Sequence, residues 1–334
     1  MSSLDRPSNA DLIGLDAIAK NLGLGKRWKG PRMVPEVVKA CEEEASAVLA
    51  GTRAKGEAIA AKLASHYGVK FEEVHSARDI DALEDHYLRG KKELTFGVLR
   101  QELADPGVDA LLFRRNNARI DEPDQWIAVL NLLVTTDRAY WDRFHELSHR
   151  LAEPPQLLLR FRREVQGEKG AVEQLIDTIT GELAFHRDYF APLISATCSR
   201  PLDFALINWI KESFAPTASL LSVTNAVTTR WPRPAICFTA RLQTKRADPN
   251  GEQCLRIQLQ CTNPLARERG IVLYNNMRVP LSSIAYQAWE TRSVRTGMDK
   301  CVEWSTRRGY HLPDMDALVS AIPMGNWIYC TMSL

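Results

Sequence analysis

The residues with the clearest chemical potential are His145-Glu146-Leu147-Ser148-His149, an HExxH run. On a helix, positions i and i+4 lie one turn apart on the same face. Two imidazoles so placed can share one metal ion, and the glutamate after the first can reach a water held there. Zinc lowers the pKa of such a water toward ~7, which lets a carboxylate take its proton at neutral pH. Phe144, Leu147 and Leu151 give the same helix an apolar face, so the histidines are expected in a cleft.

A catalytic metal needs a third protein ligand and one open position. Glu173 follows His149 by 24 residues, and Asp177 follows Glu173 at i+4, so both carboxylates share a helical face. Glu173 is expected to bind the metal while Asp177 accepts a hydrogen bond from a ligand imidazole. Glu182 is the rival. At about 100° per residue it falls on the opposite face from Glu173, and it lacks a companion carboxylate like Asp177. The spacing therefore predicts His145, His149 and Glu173 as ligands to Zn²⁺, with Glu146 as general base. His186, Tyr189, Tyr140 and Arg138 are the candidates to stabilise an oxyanion.

These side chains need a scaffold. The sequence predicts helices over 35–66 (broken near Gly51), 92–104, 137–152, 170–186, 201–213 and 217–228. A short strand is expected at 69–71, and strands at 108–113 and 126–130 are expected to pair. Residues 1–32 are polar, contain Pro and Gly, and read as an arm; their cluster Lys26-Arg27-Trp28-Lys29 reads as a solvated segment. Arg230-Trp231-Pro232-Arg233-Pro234 reads as a linker. Beyond it come strands at 236–243 and 255–260, a helix near 314–322 and a last strand near 327–332. The expected architecture is α+β: an arm at 1–32, a metallopeptidase domain of small sheet and active-site helices at 33–229, and a smaller mixed domain at 230–334.

Composition narrows the classes. The 334 residues carry a net charge of +2, with 45% apolar and 25% charged residues, which gives no reason to expect a general nucleic-acid binder. The seven cysteines form no CxxC pair and read as reduced, mostly packing residues. The first residues do not read as a signal peptide, and no apolar run approaches the ~20 residues of a membrane span, so a cytoplasmic protein is expected.

HExxH followed by ExxxD is similar to the gluzincin metallopeptidases, and HELSH is close to their HELTH form. A more extensive resemblance is to the ImmA/IrrE family of bacterial metallopeptidases. It is carried by Val108–Phe113, by Ile127–Asn131, by Arg138 and the HExxH helix, and by Glu173–Ala184 (EQLIDTITGELA) in the place of the family's ExxANxFAxELL helix. Phe214–Leu221 resembles the following FxVSxxAL segment, so the likeness spans about residues 60–228. Ser148 stands where the family usually has Gly, and Tyr140–Phe144 replaces its usual run before the motif. The resemblance implies a zincin-like fold, a zinc cofactor and a protein substrate such as a helix-turn-helix repressor controlling stress genes or mobile elements. The strand at 126–131 would then be the edge that pairs with an extended substrate. Some relatives carry a C-terminal sensor domain, and residues 230–334 stand in that place as a GAF-like, structural or dimerising unit.

Three other readings compete with the peptidase. A zinc-containing protein could sequester a transcription regulator without cutting it. A small molecule or short peptide could be the substrate of the zinc site. A helix-turn-helix at 201–228, with Leu206, Trp209 and Ile210 in the buried face of its first helix, could bind DNA directly, although Lys211 and Arg230 are its few basic residues.

Overall fold

The computed structural model describes residues 9–24, 33–52, 54–105, 107–116, 118, 122–133, 138–152, 160–164, 170–245, 249–305 and 310–334, with side chains left out at 9–12 and 160–164. Lys26-Arg27-Trp28-Lys29 lies outside the described residues. The chain divides into two compact units, Met1–Tyr189 and Phe190–Leu334. Each is built of helices and one sheet, an α+β organisation.

The first unit opens with α1 (Asn9–Asn21), where an arm was expected. Leu15, Ile18 and Ala19 recur at three- and four-residue steps and are buried. α2 (Val34–Leu49) carries Pro35 in its first turn, where the ring is well suited, and buries Val37, Cys41, Ala45 and Leu49. α3 (Glu57–Tyr67) stops at Gly68, which adopts φ +67° and donates its N–H to the Ala64 carbonyl. A side chain at that φ would be strained, so glycine is required there.

β1 (Val69–Val74) follows, longer than its weak signal suggested. α4 (Ala77–Leu83) and a π-helical stretch at Glu84–Gly90 come next. The helix expected at 92–104 is a 3₁₀ turn at Leu94–Val98 followed by the short α5 (Leu99–Leu103). Then come β2 (Val108–Arg114), β3 (Trp126–Asn131), α6 (Ala139–Ala152), β4 (Arg160–Glu164) and α7 (Ala171–Ala184).

The sheet order is β1-β3-β2-β4. β2 and β3 pair antiparallel as expected, with Leu112 opposite Ala128. β3 is fully buried and lies between β1 and β2, so Trp126–Asn131 is not the edge strand the sequence suggested. Both of its backbone edges are already paired, which leaves β1 and β4 as the outer strands. Alternation divides the two faces. Leu111, Phe113, Ile127 and Val129 join Tyr87, Phe96 and Leu99 in one core, while Ala110 and Leu130 turn to the other side with Ala139 of α6.

The second unit contains most of α8 (Arg187–Thr197), then α9 (Phe204–Phe214) and α10 (Leu220–Arg230). Its other elements are β5 (Ala235–Gln243), β6 (Cys254–Thr262), α11 (Pro264–Glu268), α12 (Ile284–Thr291), β7 (Arg295–Lys300), β8 (Asp316–Met324) and β9 (Trp327–Ser333). The sheet is antiparallel in the order β6-β5-β9-β8-β7.

The expected boundary near 230 moves to 189/190 because α9 and α10 belong to this sheet. The Phe204 N–H donates to Ser320 Oγ, and Cys237 Sγ lies 3.0 Å from Asn225 Oδ1. The Trp231-Pro232 stretch is a turn inside one unit, not a linker between two. The helix expected near 314–322 is the strand β8. It pairs on both sides, Leu318 opposite Met298 and Ser333, and its pairing overrides the helix-forming Ala and Leu in its sequence.

Candidate metal centre

α6 and α7 pack side by side and carry every predicted ligand. Tyr140 Oη donates to the Ala184 carbonyl at 2.5 Å, Thr180 Oγ1 donates to the Ile176 carbonyl at 2.8 Å, and Thr180 Oγ1 lies 3.1 Å from Ser148 Oγ. Ser148 Oγ in turn donates to the Phe144 carbonyl at 2.7 Å. A Cβ at Gly181 would stand 3.7 Å from the Trp141 ring, ordinary contact that shows how closely the helices approach. Ser148 therefore sits where the two helices meet. Neither Ser148 nor Thr180 stood out in the sequence as a positioning residue; their roles depend on how two helices separated by 18 residues of chain meet.

The donors converge. His145 Nε2 and His149 Nε2 are 3.1 Å apart. Glu173 Oε2 is 3.5 Å from His145 Nε2, and Glu173 Oε1 is 3.5 Å from His149 Nε2. Atoms bound at ~2.0–2.1 Å in tetrahedral geometry stand about 3.3–3.4 Å from one another. The Glu173 carboxylate faces both rings, one oxygen toward each, and one ligand atom from each of the three residues lies within 4.8 Å of the others. Among the described residues this is the cluster suited to a metal ion, and Glu182 is not part of it. His145 Nδ1 lies 3.3 Å from Asp177 Oδ1, so a carboxylate sits behind the ring and turns Nε2 toward the cluster.

Burial sharpens the electrostatics. His145, Glu146 and His149 are at most 2% exposed, whereas the Glu173 side chain is 36% exposed. Burial alone would disfavour charge on His145. The carboxylates of Asp177, Glu173 and Glu146 outweigh it and push the imidazole up to about 9. Burial would likewise raise Glu173, but the His145 and His149 rings hold its carboxyl below the ordinary range.

A pH dependence follows. Because the folded value for His145 lies above the ordinary 6.5, its contribution to stability is fully present below about 6.5 and is lost as pH rises through about 9. A bound metal needs the neutral ring and removes this dependence. Thermal melts of chelator-treated protein are expected to show Tm falling between these pH values, and metal-loaded protein is expected not to follow that slope. Parallel pH profiles for the two forms would contradict the assignment.

The four predicted oxyanion donors are engaged elsewhere. Tyr140 is tied to Ala184. Tyr189 Oη donates to the Leu49 carbonyl and lies 3.0 Å from Thr52 Oγ1. His186 is buried, with Nε2 3.3 Å from Ser46 Oγ. Arg138 pairs with Asp109 at 2.8 Å. Three of the four find their partners in segments tens of residues or more away, out of reach of local sequence patterns. The candidate helix-turn-helix also resolves differently. Leu206 and Ile210 are buried as expected, but Trp209 is 44% exposed with Arg200 over its ring, and α10 buries Val223, Ala226 and Val227 within its own unit.

No family model matches the chain, and no curated protein matches it. Among solved structures, a Mycobacterium tuberculosis transcriptional regulator is similar at a TM-score of 0.45 and 10% identity, over 97% of this chain and 81% of that one. A similarity this slight bears on neither family nor function. No described helix is long and apolar enough to cross a membrane.

Proposed function

We propose that the chain is a zinc-dependent endopeptidase that cuts a partner protein, in the manner of the ImmA/IrrE metallopeptidases it resembles, with a helix-turn-helix regulator as the substrate. The observation that carries this reading is the convergence of His145, His149 and Glu173, one ligand atom of each within 4.8 Å of the others, with Asp177 behind His145. An all-N/O donor set of two imidazoles and one carboxylate, with an open vertex, suits a catalytic zinc.

The residues divide the work. Zinc, when bound, supplies Lewis acidity that polarises a carbonyl and acidifies water. Asp177, whose Oδ1 lies 3.3 Å from His145 Nδ1, orients that ring and favours the proton on Nδ1. Glu146, one residue along the same buried turn, takes a proton from the attacking water on its carboxylate and returns it to the leaving amine. Ser148 and Thr180 hold α6 and α7 in register so that the three donors stay together.

Metal analysis of the purified chain tests the site. The expected result is about one zinc per chain in the wild type and in Glu182→Ala, and loss in His149→Ala and Glu173→Ala. Retention in Glu173→Ala with loss in Glu182→Ala would move the third ligand. A wild type that neither contains zinc nor takes it up would end the peptidase reading.

A further inference from the structure

Within the second unit, two thiols face one another across the β5–β6 ladder. Cys237 of β5 is the direct register partner of Cys261 of β6. Antiparallel partners project their side chains to the same face, so both sulfurs lie on the side that α10 covers. Three contacts show this placement. Cys237 Sγ is 3.0 Å from Asn225 Oδ1, Cys261 Sγ is 3.3 Å from Thr229 Oγ1, and both cysteines line a cavity of about 190 Å³ with Leu221, Asn225 and Leu259.

The surroundings treat the two sulfurs differently. Cys237 is 2% exposed, while Cys261 is only partly buried and reachable from the cavity. A hydrogen bond from the neighbouring thiol, another from Thr229 and the charge of Arg267 favour the Cys261 thiolate. Its own bond to Cys261 and complete burial hold the Cys237 thiol protonated. This is the asymmetry of an attacking and a resolving cysteine.

We propose that Cys237 and Cys261 form a reversible disulfide on exposure to a hydroperoxide. The Cys261 thiolate attacks the terminal peroxide oxygen. The O–O bond breaks, an alcohol or water leaves, and Cys261 becomes a sulfenic acid. Cys237 then attacks that sulfur, the S–O bond breaks, and a water leaves as the S–S bond forms. Two thiols are oxidised by two electrons, the peroxide is reduced by two, and a thiol reductant reverses the change.

Geometry admits the bridge. Directly opposed residues of an antiparallel pair have Cα atoms about 4.5–5.5 Å apart, inside the ~4.4–6.8 Å range of disulfides. The Asn263 N–H donates to the Ala235 carbonyl, so the pair two residues along also occupies a hydrogen-bonded position, the wider of the two kinds. That wider spacing, about 5.5 Å, is close to the separation disulfides most often adopt. It would also remove the Cys237 thiol contact to Asn225, and with it one tie between α10 and the sheet.

The test uses the full chain, reduced, desalted and treated with one equivalent of hydrogen peroxide, then denatured and alkylated. Intact mass and peptide mapping are expected to show two of the seven cysteines protected, a Cys237–Cys261 linkage, and full alkylation after dithiothreitol. Cys261→Ser, at the more accessible position, is expected to form no linkage, and Cys198→Ser is expected to form it as the wild type does. Seven alkylated cysteines after peroxide, a linkage between other cysteines, or oxygen addition without an S–S bond would each overturn the proposal. The wild-type measurement requires no variant to fold.

Discussion

Replacing Glu146 by Gln is expected to leave about one zinc per chain and to lower cleavage of the partner protein by about 100- to 10,000-fold. Gln keeps the size and hydrogen-bonding reach of the side chain, so the buried turn between His145 and Leu147 is preserved. It removes only the ability to accept a proton from water and return it to the amine. His145, His149 and Glu173 are untouched, and metal content should match the wild type. Elemental analysis and a gel assay of the same preparation check both halves. Wild-type cleavage by Glu146→Gln would remove Glu146 from the mechanism; a partner bound and protected by the wild type would favour sequestration over cutting.

The second large effect concerns the first unit's stability. Arg115 follows β2 with its side chain 5% exposed, and its Nε lies 3.3 Å from Glu93 Oε1, whose side chain is fully buried. The same guanidinium reaches Glu122 at 2.8 Å and Asp124 at 2.7 Å. Glu93 Oε2 also accepts the Asn116 N–H at 2.7 Å. Arg115→Ala would leave the Glu93 charge in a dry site without its cation, a loss of about 3–5 kcal/mol. Urea unfolding of the zinc-loaded protein measures it, and adding Glu93→Gln should recover part of the loss by removing the buried charge. A change below about 1 kcal/mol would place the network among ordinary surface ion pairs.

The local part of the site was legible in the sequence. His145/His149 and Glu173/Asp177 are i,i+4 pairs, and helical geometry alone fixes which face they share. The contacts of the oxyanion candidates were not legible, because they are remote in the chain. His186 and Tyr189 are claimed by Ser46, Leu49 and Thr52 at the end of α2, about 140 residues earlier. β3 reads as a strand, yet only the parallel pairing with β1 makes it central. β4 (RFRRE) has no apolar alternation to reveal it. β8 reads as a helix until β7 and β9 pair with it. α1 is different: Leu15, Ile18, Ala19 and Leu22 carry a helical period that polar neighbours and flanking Pro and Gly obscured.

The position of α1 has a consequence for biosynthesis. A Cβ at Gly14 would lie 2.7 Å from the Val172 side chain, so α1 seats directly against the first turn of α7, beside Glu173. The two surfaces are separated by about 158 residues of chain. At ~5–20 residues per second, a ribosome takes about 8–30 s to cover that interval. α1 therefore leaves the tunnel well before the Glu173 helix exists to receive its side at Gly14. During that interval the nascent chain is a substrate for chaperones that the finished protein, with Leu15 and Ile18 buried, does not offer.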